Sequence, residues 1–165
     1  MLGAAAFAQL PAPVHAVQHR QRFVGRALVR RGAHPLVPLL AWLSRLPHSG
    51  QVAVEVEFLV DANGERWHRR FAGLPMHSRM WRHGAWLREH LSAVRFEFAL
   101  HADAAALYWQ ARRGGGFGWV PLPARWFEQV RCREHADEGR YGFLVDVHLP
   151  WVGPFIRYEG WLEPH

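Results

Sequence analysis

Lysine and threonine are absent from all 165 residues, and asparagine, isoleucine and cysteine occur once each, as Asn63, Ile156 and Cys132. Without lysine there is neither a Schiff-base nucleophile nor a Walker-type phosphate loop. The single cysteine excludes an internal disulfide and fits a reducing, cytoplasmic setting. No apolar run approaches the roughly 20 residues that a membrane-spanning helix needs. The opening MLGAAAFAQLPAP lacks a basic leader region, so no signal peptide is expected. Only four serines occur, Ser44, Ser49, Ser78 and Ser92, and none sits in a GxSxG elbow. Ser78 beside His77 is no dyad, because adjacent strand residues point to opposite faces. Gly114, Gly116 and Gly118 stand too close together for a dinucleotide fingerprint, and prolines follow where a helix must begin. That stretch reads as a flexible loop, and no cofactor is expected.

What is present describes one folded domain over residues 1–165. Hydrophobic residues make up 50% of the chain and charged ones only 21%, which argues against disorder. The formal charge is +6, a value that invites a nucleic-acid partner. Yet every basic side chain that is not histidine is arginine, in a composition typical of GC-rich coding. The densest clusters, Arg30-Arg31, Arg69-Arg70 and Arg112-Arg113, are pairs. Solvated strand faces account for them, and no nucleic-acid partner is expected.

Residues 2–20 read as helical, interrupted at Pro11 and Pro13. A strand follows at 23–30, then a short helix within 35–46, opened by Pro35 and closed by Pro47. From Val52 onward period-two alternation dominates: 52–60, 76–80, 86–91, 94–100, 105–111, 141–149 and 155–162. About nine or ten short strands at hairpin spacing predict a mainly β (α+β) fold, one antiparallel sheet that curls or closes into a barrel.

The segment VAVEVEFLVDANGERWHRRF at 52–71 is the most telling. Folding at Asn63-Gly64 sets Val60 against Trp67, Phe58 against Arg69 and Val56 against Phe71. A four-residue loop shifts the partners by two and keeps the parity. On the outer face Glu57 is expected opposite Arg70 and Asp61 opposite Arg66. Arg69 therefore lies on the apolar face. A charge removed from water needs compensation, from an internal carboxylate or from a bound anion. A buried arginine–glutamate pair is the ordinary reading, and a cavity arginine that receives an acidic ligand is the other.

Spaced elements then resemble a known family: LGAAAFAQLPAPVHAVQH at 2–19, WHRRF at 67–71, His77-Ser78, LREH at 87–90, PLP at 121–123 and YEGWL at 158–162. In this order they are similar to the bacterial domain of unknown function 4166, sometimes joined to dinucleotide-binding or DoxX-like modules. The resemblance covers nearly the whole chain. The positions it carries over are His19, Trp67, Arg69, Phe71, Ser78, Glu89, Tyr158, Gly160 and Leu162. Leu91-Ser92 stands where the family has a glycine after the glutamate. The family has no established activity, so the resemblance implies domain limits and no chemistry.

His15 and His19 stand four apart on the expected N-terminal helix and share a face, but neither an HExxH motif nor a third ligand accompanies them. No metal site is assigned. Cys132 between Arg131 and Arg133 would have a lowered thiol pKa if exposed; a half-buried, inert cysteine is the ordinary reading.

Three functional readings remain. The first is a small-molecule carrier whose lumen is lined by Val56, Phe58, Trp67, Phe71, Met76, Met80, Phe96, Phe98 and Tyr158. Its ligand is apolar or carboxylate-bearing, with Arg69, Ser78, Glu89 and His19 as the polar site residues. If Glu89 already neutralises Arg69, a neutral ligand fits better. The second is an enzyme using Glu89 as general acid or base with Arg69 and Tyr158. The third is an interaction module that meets a membrane or redox partner through the aromatic segment 149–155.

Overall fold

The computed structural model describes residues 8–16, 22–62, 64–92, 94–116 and 120–165. Among the described residues two α-helices, α1 (Ala12–Ala16) and α2 (Val37–Leu43), accompany eleven strands. These are β1 (Arg22–Arg31), β2 (Gly50–Asp61), β3 (Gly64–Phe71), β4 (Leu74–His83), β5 (Trp86–Leu91), β6 (Val94–Ala102), β7 (Ala106–Gly116), β8 (Val120–Leu122), β9 (Val130–Asp137), β10 (Arg140–Leu149) and β11 (Gly153–Pro164). All pairings are antiparallel. The order runs β1 to β7, then β9, β10 and β11, which returns to β1, so ten strands close into a barrel; β8 adds only to the end of β7. Closure leaves the barrel strands without the open edges of a curled sheet.

Alternation builds this barrel. Val54, Val56 and Phe58 on β2, Met76, Ser78 and Met80 on β4, and Ile156, Tyr158 and Leu162 on β11 are all buried, one residue in two. The hairpins are tight. Ala72-Gly73 and Glu138-Gly139 both have positive φ at both positions, the backbone of a type I′ turn. Ser92 (φ 51°) adopts the left-handed conformation at the turn between β5 and β6.

The first hairpin reverses one residue earlier than the sequence reading placed it. Asp61 pairs with Gly64, so Val56 faces Arg69, Phe58 faces Trp67 and Val54 faces Phe71. The partners shift by two and the parity holds, as a period of two requires. Gly64 opens β3 instead of sitting in the turn, because a Cβ there would lie 2.1 Å from the Met80 carbonyl oxygen on β4. Asn63 lies outside the described residues. The outer ion pairs move accordingly: Arg66 keeps Asp61 at 2.9 Å, but Arg70 takes Glu55 at 3.4 Å, and Glu57 takes Arg22 at 3.2 Å.

Two further expectations are corrected. Gly114 to Gly116 are the end of β7, paired with both β6 and β8, and not a loop, while 117–119, with Gly118, lie outside the described residues. Gly114 makes room for the Phe127 ring, which a Cβ would meet at 2.5 Å. Strand β9, at 130–137, was not among the expected strands. The short helix falls inside 35–46 as expected, with Pro38 in its first turn. Of the expected N-terminal helix the described residues hold only α1, whose Val14 joins the core together with the preceding Leu10; 1–7 and 17–21, including His19, lie outside the described residues. No helix among the described residues is long and apolar enough to cross a membrane.

The two ends of the barrel differ. At the end where β2 stops and β3 starts, ring contacts cross the lumen. Phe23 meets Phe58 (5.6 Å between centroids), Phe58 meets Trp67 (4.7 Å), Trp67 meets Trp109 on the far wall (5.8 Å), and Trp109 meets Phe98 (5.6 Å). These aromatics form a floor. At the opposite end lie α2, the 124–126 turn and the β10–β11 connection.

Candidate ligand cavity

Between floor and opening lies a cavity of about 500 Å³. Strands β2, β3, β5 to β7 and β9 to β11 line it with mostly apolar side chains, among them Val56, Phe71, Phe96, Phe143, Val145 and Tyr158. Leu36 and Trp151 border the cavity and are also solvent-exposed, which places its mouth at the α2 end. Of the lumen residues expected from sequence, Val56, Phe58, Trp67, Phe71, Phe96, Phe98 and Tyr158 border the cavity. Met76 and Met80 do not; they are packed solid in the β4 wall with 1% of their surface exposed.

Arg69 points into the barrel, as its parity requires. Its Nη2 donates to Ser78 Oγ at 2.7 Å and to Glu89 Oε1 at 3.0 Å, and its guanidinium lies 5.4 Å from the Trp67 ring centroid. The pair is buried, with 13% of the Arg69 and 10% of the Glu89 side chain exposed. Three of the sequence-predicted polar site residues thus converge on one contact. Arg69 and Glu89 border the cavity, whereas Ser78 sits behind them. The carboxylate that compensates Arg69 is internal, which leaves the arginine no net charge to offer an anion.

Sequence reasoning missed a second polar group. Glu134 on β9 projects toward the floor, where the Tyr141 hydroxyl and the Trp109 indole both favour its charged form. Burial outweighs both, with Glu65 adding repulsion, and pushes the Glu134 carboxyl from its ordinary 4.5 up to about 8. Its only signal in the sequence is parity with Val130 and Cys132. Tyr141 and Tyr158 are pushed up by burial, so both stay neutral hydroxyls. Cys132 faces the cavity, and burial raises its thiol despite the two neighbouring arginines. Activation by those arginines would need exposure, so the inert reading holds.

Glu134 gives a pH prediction. A carboxyl whose folded pKa lies above its unfolded one binds an extra proton in the folded state. Stability from this group is full below about 4.5 and declines as pH rises toward about 8. Glu134→Gln keeps the polar contacts and cannot ionise. It is expected to flatten that decline, so the variant gains on the wild type in urea melts as pH rises from 5 to 8, about a tenfold gain in the folding constant or more. Parallel curves for the two proteins would contradict a buried, neutral Glu134.

The arrangement can enclose an apolar molecule: its main charges are paired, while the buried Arg69 Nε and Trp109 Nε1 have no hydrogen-bond partner within the protein. Among the described residues no three His, Cys, Asp or Glu side chains converge on a common point. No curated protein shows significant sequence similarity to the chain. A family model described as Domain of unknown function (DUF4166) matches residues 12–162, nearly the whole length, and the chain belongs to that family.

Proposed function

We propose that this barrel binds a neutral, largely apolar small molecule. The observation that carries the reading is the open cavity of about 500 Å³, within the range of ligand sites and walled mainly by aliphatic and aromatic side chains. The Arg69–Glu89 pair favours a neutral ligand over a carboxylate. An anion entering this lumen would lose its hydration without gaining an unpaired cation. The same pair weighs against Glu89 as a general base, since its carboxylate is already held by a guanidinium.

Native mass spectrometry of the purified protein is expected to show a co-purifying small molecule. The neutral probe N-phenyl-1-naphthylamine is expected to bind at least about tenfold more tightly than the anionic 1-anilinonaphthalene-8-sulfonate. Val145 borders the cavity opposite Tyr158, and Val145→Trp fills that space. This variant is expected to keep its β circular dichroism and lose the probe. A clean apo spectrum with no neutral-probe binding, or full binding by Val145→Trp, overturns the reading.

A further inference from the structure

Helix α2 has the sequence VPLLAWL, apolar at every position. One side is accounted for: Val37 and Ala41 are buried, and Leu40 lines the cavity. The other side is not. Leu36, Leu39, Trp42 and Leu43 recur at helical spacing on the outer stripe, with Leu39 54% and Trp42 74% exposed. A helix apolar on every side belongs in a protein interior or in lipid. Trp151, on the β10–β11 connection, is 77% exposed and has φ 62°, a backbone conformation costly for a bulky residue and readily filled by glycine or asparagine. An aromatic held at a loop tip in such a backbone fits a functional demand better than a folding one.

Charge at this end is mainly positive. Arg30, Arg45, Arg112, Arg113, Arg125 and Arg131 are exposed in its connections or near its strand ends. The carboxylates there are Glu128, together with Glu55 and Asp146, which already pair with Arg70 and with Arg157 and His148. Tryptophan and leucine surrounded by arginine match the acyl–headgroup boundary of an anionic leaflet. The helix is also held in place: Arg31 Nε donates to the Pro47 carbonyl at 2.8 Å and its Nη2 to Leu46, fixing the chain that leaves α2.

From this placement we infer that the α2–Trp151 rim docks on anionic lipid bilayers and that the cavity exchanges its ligand directly with the membrane. The inference rests on the proposed cavity function for the exchange and on the rim alone for the docking. The ligand is accordingly a bilayer-soluble neutral molecule, passing from lipid to lumen beside Leu36 and Trp151 without crossing water.

The test is flotation of the full chain with vesicles of equal parts phosphatidylcholine and phosphatidylglycerol, beside pure phosphatidylcholine. The wild type is expected to float with the mixed vesicles and at least about tenfold less with the neutral ones. Leu39→Ser with Trp42→Ser, two exposed residues outside the cavity lining, is expected to cut flotation about tenfold or more while leaving N-phenyl-1-naphthylamine binding from solution unchanged. The same double variant is expected to slow transfer of that probe from preloaded mixed vesicles. Docking without any probe binding defeats the cavity reading and leaves the rim intact. Solution binding without flotation, or flotation indifferent to both substitutions, overturns the rim. So does a concentration-dependent dimer that Trp42→Ser disperses, because the patch then meets a second copy of the chain.

Discussion

Replacing Arg69 with alanine lowers folding stability by about 3–5 kcal/mol, read as a fall in the urea midpoint at unchanged slope. The substitution leaves Glu89 without its cation, and only 10% of that side chain reaches solvent. It also removes the donor to Ser78, an otherwise buried hydroxyl. Glu89→Gln is gentler, because the amide oxygen still accepts from the guanidinium. It gives up the charge-assisted part of the bond, about 1.5–3 kcal/mol. The informative control is Arg69→Met combined with Glu89→Leu. Removing both charges eliminates the desolvation cost along with the attraction, and exchanges of this kind are often close to neutral. The double variant is expected to recover most of the loss and still bind the neutral probe. A single Arg69→Ala variant within about 1 kcal/mol of wild type sinks the structural pair. It would mean that Glu89 finds water or another donor across the cavity, and that Arg69 is free for a ligand after all.

The direction of Arg69 was legible from Val52 to Phe71 alone, because a period of two survives a register shift of two. The register itself was not. Asn63-Gly64 advertises a turn, and only the Met80 carbonyl on the next strand shows that Gly64 is needed in β3. The partner of Arg69 was hidden for a related reason. Glu89 lies two strands away, and the contact forms diagonally across β4, past Ser78. Local alternation carries no information about which strands stack laterally. β9 escaped detection because its inward positions are Val130, Cys132 and Glu134, and the next position of that parity, Ala136, is exposed. A carboxyl on the inner face breaks the apolar pattern at the residue that makes the floor polar, and such local inconsistency is where functional groups tend to sit. The 149–155 segment was legible as aromatic, but of its two aromatics only Trp151 is exposed, and Phe155 is buried in β11. The larger apolar surface on α2 was not legible, since an all-apolar heptapeptide reads as core until the fold shows which half is covered.

Gly160→Ala is expected to cost at least about 4 kcal/mol and to leave part of the protein unfolded or insoluble. A methyl group is the smallest addition available, so the size of the effect depends on where it lands. Gly160 pairs with Ala27 on β1 and Phe143 on β10. A Cβ at 160 would lie 2.0 Å from the Arg26 carbonyl oxygen and 2.8 Å from the Ala27 Cα. Both are backbone atoms of a paired strand and cannot rotate away. Gly25, facing the same seam from β1, would put its Cβ 1.9 Å from the Trp161 carbonyl oxygen. Two glycines therefore mark the place where β1 and β11 close the barrel, and strand glycines serve such close backbone approaches. Relief requires the seam to open, and with it the wall that holds Tyr158 beside Phe71 (5.4 Å between centroids). Probe binding should fall with stability in Gly160→Ala and in Gly25→Ala alike. A control separates this from general intolerance: at Gly142 the added Cβ meets the tip of the His135 ring at 2.8 Å, which can rotate away, and the Asp137 Cβ at 2.9 Å, with no backbone carbonyl as near as at the seam. Gly142→Ala should therefore cost clearly less than either seam substitution. If Gly160→Ala melts within about 1 kcal/mol of wild type, β1 and β11 slide apart cheaply and the barrel does not depend on that closure.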